Sequence, residues 1–385
     1  MTDSSVPPVR RAARDAADAR FPCEQCGAQL VFTPGTTQVT CTHCGHVQLI
    51  DIEADPDTAH VEHDFDAVLR GLSGDAQYEE TKVMTCQSCG AQTEFPEGTQ
   101  AAACPFCDTP FVTSTGIHRH IKPAGVVPFQ LDERTARTAM TTWLGRLWFA
   151  PNGLREYARK GRALTGIYVP YWTFDADTKS AYTGQRGDAY YVTVRVTVNG
   201  KSQTRQVRKI SWSRASGRVA RFFDDILVLA SKSLPKRYTD ALEPWDLAAL
   251  TTYQAQFLSG FAAEGYQVEL PDGFTEAQAV MARQIERDIR VDIGGDEQRI
   301  SSVDTDTRDI RFKHVLLPVW MAAYKYRDKT YRFVVNGQSG KVQGERPWSA
   351  WKIAFAVVLG LIVAGAIGYV AYLSNDGSAT AGFPK

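Results

Sequence analysis

"CEQCGAQLVFTPGTTQVTCTHCG", residues 23–45, carries two Cys-x-x-Cys pairs with fourteen residues between them. Redox dithiols, disulfides and metal sites all use such pairs. Every one of the chain's eight cysteines lies in a pair of this kind, within the first 110 of 385 residues: Cys23/Cys26, Cys41/Cys44, Cys86/Cys89 and Cys104/Cys107. Each cysteine of the first quartet has a counterpart 63 positions later. Gly27-Ala28-Gln29 matches Gly90-Ala91-Gln92 in that register, Phe32 matches Phe95, and Gly35-Thr36 matches Gly98-Thr99. This is an internal duplication.

Two matched quartets argue against a single redox dithiol. Two thiolates on one tight turn grip a tetrahedral ion at about 2.3 Å, and a hairpin brings the second turn opposite. Fourteen residues fall just short of the roughly 15–20 of four-cysteine zinc sites, a difference a tighter hairpin absorbs. A unit this small buries too little apolar surface to fold alone. Metal binding, roughly 10–16 kcal/mol in zinc-finger peptides, substitutes for a core. His43 and His46 flank Cys44, but the second copy has Phe106 and Thr109 at those positions. An all-cysteine shell is the simpler reading. It predicts two structural zinc ions, one on Cys23, Cys26, Cys41 and Cys44, the other on Cys86, Cys89, Cys104 and Cys107. A closed four-sulfur shell leaves no position for a reacting water. His60, His63, His118 and His120 read as solvent-facing side chains.

A composition of 44% hydrophobic and 22% charged residues is that of a folded protein. Residues 1–20 contain no apolar run and read as a disordered leader without an export signal, so the thiols belong in a reducing cytosol. The net charge is zero, but it is polarised. Residues 21–122 hold four Lys/Arg against fourteen Asp/Glu, and residues 123–350 hold 33 against 25. A nucleic-acid module gains affinity by neutralising phosphates with cations. The front of the chain is built the other way and suits a protein partner.

"IAFAVVLGLIVAGAIGYVAYL", residues 353–373, has no charge. At 1.5 Å per residue it spans about 31 Å, matching a hydrocarbon core of roughly 30 Å. Trp348, Trp351 and Lys352 at one end, with Tyr369 and Tyr372 near the other, suit the two interfaces. Lys341, Arg346 and Lys352 precede the span and only Lys385 follows it, which places residues 1–350 in the cytoplasm and a short tail, 374–385, outside. Ala356, Gly360, Ala364 and Gly368 recur every four residues, either as a stripe for helix association in a homo-oligomer or as incidental composition.

The predicted order is therefore a leader (1–20), a first ribbon (21–50), a linker (51–83), a second ribbon (84–115), an α+β core (116–347) and one transmembrane helix. The ribbons are expected as small, all-β, metal-stabilised modules set before the core. Within the core, Asp132 is placed to cap a helix burying Ala136, Met140, Trp143, Leu144 and Leu147, ended by Pro151-Asn152-Gly153. Thr275 and Gln278 form a capping box before Ala277, Met281, Ile285 and Ile289, with Gly294-Gly295 as the stop. Val192, Val194, Val196 and Val198 alternate up to Asn199-Gly200, a hairpin signal, and a second hairpin runs from Tyr324 to Val335 through Asp328-Lys329. Gly200-Lys201-Ser202 is that turn and not a phosphate loop, since Arg195 stands where its first glycine belongs. Asp224-Asp225 and Asp292/Asp296 read as structural acids. Lys201 to Arg221 holds seven Lys/Arg and no Asp/Glu, either a solvated strand face or an anion-binding strip for lipid headgroups or nucleic acid.

"GIYVPYWTFDADTKSAYTGQRGD", "EPWDLAALTTYQAQFLSGFAAEGY", "VDIGGDEQRI", "KHVLLPVWMAAYKY" and "VVNGQSGKVQGERPWS" resemble a bacterial family of membrane-tethered TFIIB-type zinc-ribbon proteins, over nearly the whole chain. Members often carry a label likening them to primosomal protein N' (replication factor Y), a superfamily II helicase. A helicase motor needs a Walker A loop, and this sequence has none, nor an HExxH, GxSxG or dinucleotide motif. Related zinc-ribbon membrane proteins sit beside PspA and SPFH (band 7) proteins in envelope-stress gene clusters, as membrane docking partners. The resemblance thus implies a non-enzymatic inner-membrane adaptor for an SPFH- or PspA-like protein. The alternative is a nucleic-acid-binding zinc-ribbon protein of replication or transcription.

Overall fold

The computed structural model describes residues 21–51, 61–71, 78–94, 101–106, 109–112, 115–146, 164–198, 201–326, 329–345 and 349–376. Its first part contains β1 (Leu30–Phe32), β2 (Gln38–Cys41), β3 (Val47–Leu49), β4 (His63–Asp64), α1 (Phe65–Leu69), β5 (Tyr78–Thr85) and β6 (Gln92–Glu94). Then come β7 (Ala101–Ala103), β8 (Pro110–Val112), β9 (Thr115–Ile121), β10 (Gly125–Val126) and α2 (Glu133–Gly145). Two long strands follow, β11 (Thr165–Val198) and β12 (Lys201–Leu229), then α3 (Lys236–Thr239), β13 (Thr251–Thr252) and β14 (Ala262–Glu264). The chain continues with α4 (Leu270–Ile293), β15 (Glu297–Tyr326), β16 (Lys329–Asn336), β17 (Val342–Gly344) and α5 (Ala350–Asp376).

The organising element is β11, paired antiparallel with β12 on one edge and β15 on the other. Near its start it joins a mixed sheet in which β14 runs parallel to it and leads on to β6, β5 and β9. The far edge of β15 takes up β4, β10 and β16 in turn. Both faces of this body are covered. Tyr168, Leu316 and Trp320 look to a front face, packed with Ala136, Met140 and Leu144 of α2 and with Leu30 and Phe32 of the first ribbon. Ile167, Val169 and Val315 look to the back, packed with Ala91 and Phe106 of the second ribbon.

The ribbons are therefore not modules set before a core. The first makes its own three-stranded sheet, β1-β2-β3, yet Phe32 N–H donates to the Ser259 carbonyl (2.9 Å) and Gly35 N–H to that of Phe129 (2.8 Å). The second splits: β5 and β6 extend the main sheet, while β7 and β8 pair with each other. Each ribbon's apolar residues are too few for a core of their own, so both are completed by the body. Residues 51–83, expected as a linker, contain β4, α1 and the first part of β5. Phe65 of α1 is buried against Phe274 with ring centroids 4.7 Å apart.

Beyond the body, β12, β11 and β15 continue as a three-stranded blade. Its front face carries Trp172, Phe174 and Tyr182 under the apolar stripe of α4: Phe274, Ala277, Met281, Ile285 and Ile289. That helix starts six residues earlier than the Thr275/Gln278 box implies. Glu269 is its N-cap, Pro271 lies in its first turn, and Thr275 Oγ1 donates to the Pro271 carbonyl (3.0 Å). Gly294 and Gly295 stop it with φ of 65° and 74°, as expected. The cap at Asp132 forms, with Thr135 N–H donating to its carboxylate (2.8 Å). Pro151-Asn152-Gly153 and Leu147 lie outside the described residues.

Where body becomes blade, both outer strands gain one residue relative to β11. Phe174/Ala176 opposes Ile226/Phe223, and Asp175/Asp177 opposes Arg311/Arg308. Each bulge holds an aspartate in the left-handed region, Asp225 and Asp309, both at φ 50°. Lys313, almost fully buried, ties this neck together by ion pairs to Asp225 (2.8 Å) and Glu62 (3.2 Å). Burial and a hydrogen bond with Glu62 push Asp175 up to about 7.

Candidate metal centres and binding surfaces

Three of the metal knuckles are built by one local device. In the turns at Cys23/Cys26, Cys41/Cys44 and Cys86/Cys89, a glycine follows the second cysteine with φ near +75°: Gly27 (73°), Gly45 (75°) and Gly90 (74°). Nothing stands within 4 Å of where their Cβ would lie, so the backbone conformation, not crowding, selects glycine. The glycine N–H donates back to the first cysteine's carbonyl at 2.8, 3.0 and 2.7 Å, closing the turn.

In the first site all four thiols bring their sulfurs within 4.8 Å of one another. Cys23 and Cys44 are 3.6 Å apart, and Cys26 and Cys41 are 3.5 Å apart. A tetrahedron of sulfurs about 2.3 Å from a central ion has edges of about 3.8 Å, so the donor set fits. A disulfide, at about 2.05 Å, does not. Backbone N–H groups of Cys44 and His43 point at Cys41 Sγ and lower that thiol's pKa, whereas burial and the neighbouring sulfurs raise those of Cys44 and Cys26, so of these three Cys41 is the first to ionise. The second site gathers Cys86, Cys89 and Cys104, with 3.6 Å between Cys89 and Cys104. Cys107 lies outside the described residues. Among the described residues, these two cysteine groups are where three or more metal-binding side chains converge.

The sites occupy opposite faces of the sheet. Cys23 and Cys41 belong to the front core, Cys86 and Cys104 to the back. Cys26 and Cys44 are exposed, and next to them β3 presents Val47 and Leu49, 46% and 73% exposed, on an edge paired only on its inner side. Acidity lies between the ribbons rather than on them. Of the fourteen acidic residues in 21–122, ten fall in 51–83.

The strip from Lys201 to Arg221 lies on β12, the free edge of the blade, and its cations divide between two faces. Arg221 turns to the front and forms a two-pronged ion pair with Asp288 of α4 (2.6 and 2.8 Å). Arg208 turns to the back and meets Glu297 (3.0 Å). Trp212, also at the back, lies 3.9 Å under the guanidinium of Arg299. Strand alternation places Arg205 and Lys209 at the front, Arg214 and Arg218 at the back.

His120 is buried, contrary to its reading as solvent-facing; the residues two away on either side, His118 and Lys122, are polar, so no apolar alternation marks it. It packs at 4.6 Å against Tyr266. With His314 and Glu264 it lines a cavity of about 20 Å³, room for one water-sized molecule. His314 Nδ1 meets the Ile121 carbonyl at 2.7 Å, so that nitrogen carries the proton and Nε2 is an acceptor. Burial takes His314 down to about 4 and Glu264 up to about 8. His63 is half-buried against Phe312, and His60 lies outside the described residues. Asp292 accepts from Tyr182 (2.5 Å), and Asp296 from the Ala189 N–H (2.7 Å).

The helix Trp351–Val370 is long and apolar enough to cross a membrane, and none of it is buried against the body. No family model matches the chain, and no solved structure does. The chain is similar to a protein of Bacillus subtilis (strain 168) named "Uncharacterized protein YdjG", at 26% identity over 339 residues, 87% of this chain and 92% of that one.

Proposed function

We propose that this chain is a non-enzymatic, tail-anchored adaptor of the bacterial inner membrane. In this reading two structural zinc ions staple the ribbons, α5 is the single anchor, and residues 1–350 stand in the cytoplasm. The observation that carries the reading is α5: twenty consecutive residues of mean hydropathy 2.5, wholly uncovered, beside a body whose own sheet is covered on both faces. Such a helix needs a lipid solvent. The work done is tethering, which raises a partner's effective concentration at the membrane.

The docking surface is the first ribbon's outer side. Val47 and Leu49 offer apolar contact beside the exposed Cys26/Cys44 knuckles, and the acidic 51–83 segment favours a basic partner. The family resemblance suggests that the partner is SPFH- or PspA-like. A fluorescent fusion of such a protein is expected to concentrate at the membrane with the full-length chain. It should disperse when residues 351–385 are deleted, and equally when the first cysteine quartet is mutated. The cysteine variants separate tethering from co-residence, because they leave the anchor in place. Localisation indifferent to both changes would end the adaptor reading.

A further inference from the structure

Past Gly187 the blade loses its third strand, because β15 begins at Glu297 opposite that residue. Among the described residues, 188–198 and 201–211 pair only with each other, an arm of eleven residues per strand and about 36 Å. The front face of this arm continues the face that α4 covers. Tyr182 and Gly184 lie under α4, whose last turn brings Ile293 within 3.3 Å of where a Cβ on Gly184 would sit, and Gly294-Gly295 then ends the helix. The same row of β11 goes on as Tyr190, Val192, Val194 and Val196, with no element above it among the described residues. On β12 the front row that holds Arg221 goes on to Lys209, Val207 and Arg205, which stand opposite Tyr190, Val192 and Val194.

Two strands alone cannot bury this row. Val192, Val194 and Val196 stay half-exposed and Tyr190 is 46% exposed. Arg205 and Lys209 are exposed, and neither has an ion pair among the described residues. The covered part of the blade shows what fits such a surface. There, a helix lays an apolar stripe on the sheet while its flanking carboxylate, Asp288, grips the β12 arginine. We propose that the front of the arm is a docking site for a partner's amphipathic helix, one whose apolar stripe is flanked by Asp or Glu along the β12 side. It would seat in line with α4, its apolar stripe on the valine row and its carboxylates on Arg205 and Lys209. The arm is as long as a helix of about 24 residues, so the seat suits a helix of ordinary length. The proposal is independent of the ribbons' docking role and of the anchor.

Adjacent tyrosines make the test. Tyr190 faces front and Tyr191 faces back, and both are exposed. The probes are two fluorescein-labelled, helix-stapled 18-residue peptides with one leucine stripe, flanked in one by Glu and in the other by Lys. They are titrated against the full chain in detergent micelles. The Glu-flanked peptide is expected to bind about tenfold more tightly than the Lys-flanked one, and the double variant Arg205→Glu/Lys209→Glu to reverse the order. Arg214→Glu/Arg218→Glu, on the back, should leave the preference unchanged. A photo-crosslinking benzoylphenylalanine at position 190 should capture the Glu-flanked peptide, and one at 191 should not. This second measurement stands even if a charge-reversed variant misfolds. Equal affinity for the two peptides, or capture from 191 rather than 190, overturns the proposal. So does tighter binding of a 20-base-pair DNA duplex or of anionic vesicles that is lost with Arg205→Glu/Lys209→Glu, and so does cross-linking of 190 to a second copy of the chain.

Discussion

Glu264 and His314 share one small cavity and pull stability in opposite directions with pH. Burial raises Glu264 from an ordinary 4.5 to about 8. Between those values the unfolded chain has released a proton that the folded chain retains, so stability falls as pH rises. Burial depresses His314 from 6.5 to about 4, so here the unfolded chain takes up a proton first and stability is lost as pH falls through that window. Glu264→Gln is expected to match the wild type near pH 4.5 and to exceed it at pH 8 by roughly 2–4 kcal/mol, read from urea midpoints. A wild-type advantage at pH 8 would show that Glu264 is ionised in the folded state. At this scale the cysteines were legible and the cavity was not. Thiol spacing is local chemistry, visible as a repeat. The cavity joins His120 to His314, 194 positions apart, which only the sheet brings together.

Elements were legible where one face is apolar at a regular period. The Asp132 cap, the valine alternation before Asn199-Gly200 and the double-glycine stop of α4 are all in place. The start of α4 was hidden because Pro271 and Gly273 look like breakers, although proline is tolerated in a first turn where its missing N–H has no partner to lose. The length of β11 was hidden for a different reason. Along the blade its back-facing residues, Asp177, Lys179 and Thr183, are exposed and polar, so the run never reads as one apolar strand of 34 residues. Since α4 is what covers the blade's front, its stripe should dominate that region's stability. Ile285→Ala, at a site 3% exposed, is expected to lower unfolding free energy by about 2–5 kcal/mol in denaturant titration. Val291→Ala, 83% exposed on the same helix, should change it by less than about 0.5 kcal/mol.

For the molecule as a whole, the division of the cysteine sites between opposite faces predicts independence. The full chain should contain about two zinc ions by elemental analysis. Cys86→Ser with Cys89→Ser is expected to remove one and leave the front ribbon and its ion in place. Iron in place of zinc, or loss of both ions from this one change, would contradict the separate-site picture. The sequence already suggested two repeats; it could not show that the body lies between them, because that follows from which side of β11 each ribbon's apolar residues find.

The direction in which β17 leaves the sheet also bears on the basic strip. It runs antiparallel to β16, away from the Asn199-Gly200 end, and its last residue lies roughly level with the start of β11. From there to the arm's end is about 34 residues of strand, or on the order of 100 Å. With α5 in the bilayer, an upright blade would hold Arg205 and Lys209 many ionic screening lengths from the leaflet, since such fields decay over about 8 Å at physiological ionic strength. Anionic headgroups would then be electrically out of reach of the arm, leaving its cations to whatever passes well above the membrane.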